Sequence, residues 1–250
     1  MKNPTIQNQN LSAFTRRNVF IMASIAMFSL CSGVQAASLV TERSALGAND
    51  LLNWSSVAPP FTFLSSTFTA PSVGGLGVTV SIPTPTPPVS QPFVFQNGSA
   101  IPTNFGDGDF ILFTGLNFST QAGNPGPLTL TFAQPVFAAG AQLLPDEGGA
   151  FIGFISAFDL NNTLLGSFQL DGVVTTARDN SAIFLGVSSD TANISRLVFS
   201  TSIPNVGIGI NQLSIVAVPE PSMWPGLLLF TSMFLGAYWL RRTTQGSSRL

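Results

Sequence analysis

Asn124-Pro125-Gly126-Pro127 runs directly into Leu128-Thr129-Leu130-Thr131-Phe132, and the reading of this stretch decides the fold. The first four residues form a turn, because proline presets φ and glycine supplies backbone angles closed to other residues. The next five alternate apolar and polar with period two, which predicts a strand burying Leu128, Leu130 and Phe132 on one face. The same grammar repeats on both sides. Upstream, strand pieces are expected at Phe61-Thr62-Phe63 and Ser66 to Thr69, and a glycine-kinked strand at Val73 to Val80. Pro83 to Pro88 must be an extended loop, Asn97-Gly98 signals a hairpin, and Asp107-Gly108-Asp109 leads into a strand at Phe110 to Phe113. Downstream, strands are expected at Phe137 to Leu144 and Ala150 to Phe158, split by Asp146-Glu147-Gly148-Gly149. Asn161-Asn162 then turns the chain into Leu164 to Leu170, and Ala182 to Val187, Ile194 to Phe199 and Ile208 to Ile215 complete the set. Ser44 to Leu52 reads as a short helical turn with Ser44 as N-cap. Eight or more short strands with no βαβ pattern predict an all-β antiparallel β-sandwich or jelly roll.

Charge and composition exclude several chemistries. Residues 37–217 carry three cations, Arg43, Arg178 and Arg196, against ten acidic residues, a formal charge of −7. Such a surface has no basic patch for phosphates, so nucleic acid is not an expected partner. The chain has no His, and its one Cys is Cys31. The usual zinc sites, a Ser-His-Asp triad and a cysteine nucleophile therefore have no residues to draw on in this region.

The two ends differ from the middle. Residues 1–36 read as an export signal: Lys2, Arg16 and Arg17, then the apolar Val19 to Leu30, then Val34-Gln35-Ala36 as a cleavage site after Ala36. Arg16-Arg17 faintly resembles a twin-arginine signal, with general secretion as the default. Residues 37–217 are the expected ectodomain. Residues 218–242 contain Pro219-Glu220-Pro221, an uncharged apolar run from Gly226 to Leu240, and Arg241-Arg242; residues 243–250 form a tail. Counted from Met223, the apolar segment approaches the roughly 20 residues that cross a bilayer as a helix. Trp224 lies near one end and Tyr238 and Trp239 near the other, as interfacial aromatics do, and Arg241 and Arg242 act as a cytoplasmic stop. An ordinary C-terminal anchor shares this hydropathy.

The triplet at 219–221, the apolar segment at 223–240 and the basic pair at 241–242, in that order, resemble the PEP-CTERM sorting domain of bacteria that export exopolysaccharide. The resemblance implies an exosortase, a membrane protease that acts near the triplet, as partner. It also implies a precursor held in the inner membrane and then a cell-surface or extracellular product, associated with biofilm or exopolysaccharide. The middle is similar to a recurring ectodomain of these proteins at Ala48 to Trp54, Phe105 to Phe110, Leu128 to Gly140 and Phe184 to Ser214. Such domains are regarded as jelly rolls similar to carbohydrate-binding modules. Where the family's last strand commonly carries Asp-Asn-Leu, this chain has Asn211-Gln212-Leu213.

Three functions follow as expectations. The first is a non-enzymatic surface or matrix protein whose Pro219, Glu220 and Pro221 are read by the sorting protease. The second is a carbohydrate-binding module with calcium at Asp107 and Asp109, joined by Asp50 or Asp190, and with Trp54 as a platform for a sugar ring. The third is a glycoside hydrolase using two of Asp107, Asp109, Asp146 and Glu147.

Overall fold

The computed structural model describes residues 37–219. Fourteen strands run in chain order as β1 (Ser38–Val40), β2 (Asp50–Leu52), β3 (Thr67–Pro71), β4 (Gly77–Ser81), β5 (Phe93–Gln96), β6 (Phe110–Phe113), β7 (Leu128–Val136), β8 (Ala138–Pro145), β9 (Gly149–Phe158), β10 (Leu164–Val174), β11 (Ile183–Ser188), β12 (Ile194–Thr201), β13 (Ile208–Ile210) and β14 (Leu213–Val216). They make two antiparallel sheets. The first follows the order β1-β11-β8-β13-β6-β5, with β14 between β8 and β2. The second is β10-β9-β12-β7-β4-β3. Leu128, Leu130 and Phe132 are buried, as their alternation predicts. They face Leu112, Leu143, Leu185 and Ile210 of the other sheet in a single apolar core. The architecture is an all-β sandwich.

The chain changes sheet where local geometry allows a corner. Val136 ends β7 in one sheet and Ala138 starts β8 in the other. Just before this crossing the pairing of β7 with β12 shifts register between Ile194 and Arg196. Such a bulge bends a strand and lets it pass between layers. Phe137, the residue between the two strands, donates its amide to the Val216 carbonyl at 2.9 Å and accepts from the Ser189 amide at 2.8 Å. No backbone group at the corner's centre is left unpaired, as burial demands.

Several local expectations change. The helical turn is a 3-10 turn over Arg43–Leu46, stopped by Gly47 at φ 66° and not capped by Ser44; Asp50–Leu52 pairs as a strand instead. Val73 to Leu76 form the turn of the β3–β4 hairpin, with Leu76 donating to the Ser72 Oγ at 2.9 Å, so that the strand begins at Gly77. Of Phe61 to Phe63, only Phe63 bridges to a strand residue, Phe93. Asn97-Gly98 is not itself the turn: Gly98 pairs with Ile101 around Ser99-Ala100. The buried Asn97 side chain donates to the Phe105 and Gly106 carbonyls and accepts from the Thr103 amide, which folds the long loop between β5 and β6 around itself. An Asn amide that satisfies three backbone groups in this way leaves few of the loop's inward polar atoms unpaired.

Gly140 shows how closely the strands of the first sheet approach. A Cβ there would lie 2.7 Å from the Leu185 carbonyl oxygen and inside contact distance of Gly186 on β11. Gly140→Ala should lower stability by about 1–3 kcal/mol, the usual cost of overpacking. Urea unfolding followed by far-UV circular dichroism would measure it, with the exposed-side change Thr131→Ala as the near-neutral control.

Candidate functional site

β8 is buried along its whole length. One edge pairs with β11; the other is shared, β13 taking Leu143 to Pro145 and β14 taking Ala138 to Gly140. Between β13 and β14 stand Asn211 and Gln212, where the ladder breaks. Buried Asn211 repairs the break with its amide. Its Oδ1 accepts from the Gln142 amide at 3.1 Å and from Arg43 Nη2 at 2.6 Å. Its Nδ2 donates to Asp109 Oδ2 at 2.9 Å and to Gln142 Oε1. Its carbonyl accepts from Trp54 Nε1 at 2.8 Å. Arg43 also donates to the Gln212 carbonyl at 2.8 Å and to Ser214 Oγ at 2.6 Å, and its guanidinium lies 5.1 Å from the centre of the Phe184 ring. Burial draws the Arg43 guanidinium below its ordinary value, and the nearby Asp109 charge opposes that shift. The amide thus stands between a cation and a carboxylate and pairs with both.

This network corrects two expectations. Trp54 is fully buried under the first sheet, with its only polar atom bonded to Asn211, so it is not a sugar platform. Asp109 is turned inward to Asn211 and the Gly106 amide, while Asp107 points outward to Arg178 Nη1 at 2.9 Å. A guanidinium held against a carboxylate repels a divalent cation, and among the described residues no three His, Cys, Asp or Glu side chains gather as a metal set. Asp50 is engaged elsewhere: it accepts from the Leu51 and Gly74 amides, each at 2.7 Å, and from Ser72 Oγ. The Asp107–Asp109 donor set does not fit calcium.

No family model and no curated protein matches this chain. Among solved structures, a 12% identical chain covers 68% of this one and 96% of its own length, at a TM-score of 0.16. It comes from the crystal structure of accessory secretory protein 1, 2 and 3 in Streptococcus pneumoniae. A likeness at that score carries no argument.

A second feature lies where the body ends. Asn49 closes both hydrogen bonds with the backbone of Ala217: its Oδ1 accepts from the Ala217 amide at 2.8 Å, and its Nδ2 donates to the Ala217 carbonyl at 3.0 Å. A side chain so placed extends the β2–β14 ladder by one residue. Val218 and Pro219 follow, exposed, beside a cleft of about 260 Å³ floored by Gly74 to Gly77 and Gln134 to Val136. Pro219 is thus tethered two residues beyond the clamp. Ala36, Glu220, Pro221, Arg241 and Arg242 lie outside the described residues, as do the export signal and the apolar segment. Among the described residues no helix is long and apolar enough to cross a membrane.

A third feature was missed in the sequence, where phenylalanine reads as core. On the outer face of the first sheet, Phe93 is ringed by Phe61, Phe63, Phe95, Phe113 and Phe118 at centroid distances of 5.3–6.4 Å. Phe61, Phe63 and Phe118 are each more than half exposed. Asp146, one of the acids considered for hydrolysis, lines this cleft. It keeps an exposed edge, yet its apolar surroundings desolvate the carboxyl and push its pKa up from 3.8 to about 6.

Two outcomes follow. Asn211→Ala strands Arg43, Asp109 and Gln142 together and should cost about 2–4 kcal/mol in denaturant unfolding, whereas a chelator should leave the melting temperature unchanged. Between pH 4 and 6 the folded protein binds the Asp146 proton more readily than the unfolded chain does. Stability should therefore fall as pH rises through that window. Asp146→Asn should raise the melting temperature at pH 7 and change it little at pH 4, as scanning calorimetry would show.

Proposed function

We propose that this protein is an exported, non-enzymatic cell-surface or extracellular-matrix protein, processed by an exosortase at Pro219-Glu220-Pro221. The observation that carries the reading is the order of the three C-terminal parts: triplet, uncharged apolar run and Arg241-Arg242. The fold is compatible with a separable cargo. Among the described residues the main apolar core spans Ala37 to Ala217, and the last strand ends at Val216, with two residues between it and Pro219. Cleavage at the triplet would remove none of the described core residues. Ala36 marks the other processing point, and Arg241-Arg242 hold the precursor's end on the cytoplasmic side.

The same body supplies what an exposed matrix component needs. Its net charge keeps single molecules apart, and its sheets leave one acidic and aromatic outer face toward solvent. Exopolysaccharide is the surrounding material this reading supplies. Calcium-assisted sugar binding is not retained, since Trp54 is buried and Asp107 is paired with Arg178.

Expression in paired hosts, one with and one without an exosortase, tests the reading. Intact mass of the exported product should lack residues 1–36 in both hosts, and should lack residues 223–240 only where the protease is present. An exported form that still carries Trp239, Arg241 and Arg242 in both hosts would refute it and leave a plain tail anchor.

A further inference from the structure

The aromatic cleft on the outer face of the first sheet has a use that neither the core nor the sorting segment explains. We propose that it is a docking site for a partner peptide. The peptide would insert one aromatic or branched apolar side chain beside Phe93 and set a neighbouring Lys or Arg against Asp146. Four observations support this.

The cleft holds about 90 Å³, room for one ring-sized apolar group rather than a chain of residues. Its walls are aromatic, and interface anchors of this size are the groups that such pockets select. The rings are held in the open at some cost. Phe61 has φ 61°, a region that a bulky residue enters only under strain. In that conformation its amide donates to the Val94 carbonyl, at the edge of β5, and its ring stacks on Phe93 at 6.3 Å while remaining 55% exposed. The same contacts cover the free edge of β5, since Leu64 donates to the Pro92 carbonyl and Phe63 bridges Phe93. The edge is therefore closed to strand addition, and the face above it stays open.

Asp146 decides the charge of the occupant. It is the one charged residue lining the cleft, Glu147 follows it in the chain, and among the described residues no cation is paired with either. The three arginines of the described residues are engaged elsewhere: Arg43 with Asn211, Arg178 with Asp107, and Arg196 with Asn162 and the Phe158 ring. Desolvation without a compensating partner is what raises the Asp146 pKa, and an incoming ammonium or guanidinium would reverse that cost. The same cation would meet the negative faces of Phe118 and Phe61. An anionic or neutral polar ligand gains none of these terms, so the chemistry selects a cationic-aromatic peptide.

The test uses the full chain in phosphatidylcholine nanodiscs, with empty nanodiscs as blank. Fluorescein-labelled tetrapeptides Gly-Lys-Phe-Gly, Gly-Glu-Phe-Gly and Gly-Lys-Ala-Gly are titrated and followed by anisotropy. The Lys-Phe peptide should bind about threefold tighter than the Glu-Phe peptide at pH 8, the scale of a partly exposed ion pair. The advantage should vanish as pH falls below about 6, where Asp146 takes up a proton. Asp146→Asn should abolish the discrimination at every pH. Phe118→Ala, at a residue 57% exposed, should weaken both Phe peptides alike while leaving the circular dichroism melt unchanged. Equal binding of the Lys-Phe and Glu-Phe peptides, or of Lys-Phe and Lys-Ala, would overturn the proposal. So would discrimination that survives Asp146→Asn but is lost in Glu147→Gln. A dimer in sedimentation that Phe118→Ala dissociates would give the cleft to a second copy of this chain, and would overturn it equally.

Discussion

The structure depends on how one buried strand shares its edge. β8 has no exposed residue, so every polar backbone group along it needs a partner. Two strands, β13 and β14, divide one of its edges, and between them the ladder has a gap. The Asn211 side chain fills that gap: its Oδ1 accepts from the Gln142 backbone amide and its Nδ2 donates to the Gln142 side chain, while the Gln142 carbonyl accepts from the Asn211 backbone amide. An amide is suited to this position because it carries both a donor and an acceptor in one plane. An Asp there would accept only, and would face the Asp109 carboxylate.

The gap also explains why polar residues from distant parts of the chain converge. β13 goes on to pair with β6 and β14 with β2, so the division of one edge spreads the first sheet to eight strands. Arg43 and Trp54, on either side of β2, reach the break from one side, and Asp109, just before β6, from the other. Each is satisfied by Asn211 or its neighbours. The cluster therefore has the closed character of a structural network, in which members bind one another and leave no coordination free for a ligand. The features left open to solvent lie elsewhere, at the aromatic cleft and at Pro219.

These two open places differ in kind. The chain end is set by a side chain acting as backbone: Asn49 holds Ala217 as a strand neighbour would. Pro219 therefore leaves the sandwich at a point that this clamp defines. The aromatic cleft is set by sheet geometry. Val94 and Leu112 point into the core between the sheets, so Phe93, Phe95, Ile111 and Phe113 must point out. A strand that is apolar on both faces leaves one of them to be covered, and here loops cover it only in part.

Much of this was legible in local sequence. Period-two alternation placed Leu128, Leu130 and Phe132 inward, and turn residues placed most strand ends, because both follow from steric rules that act within a few residues. The charge balance and the absence of His likewise set expectations about chemistry without any fold. Other features needed the tertiary structure. Ile208 to Ile215 reads as one strand, and its division at Asn211 is decided by which partners β8 offers. Asn97-Gly98 reads as a hairpin, and its conversion into a loop is decided by three carbonyl and amide groups brought to one side chain. Trp54 reads as a candidate platform for a sugar ring, and the phenylalanines read as core. Only packing sent the first inside and left Phe61, Phe63 and Phe118 on the surface, because burial belongs to the assembled sheets and not to any residue's own chemistry.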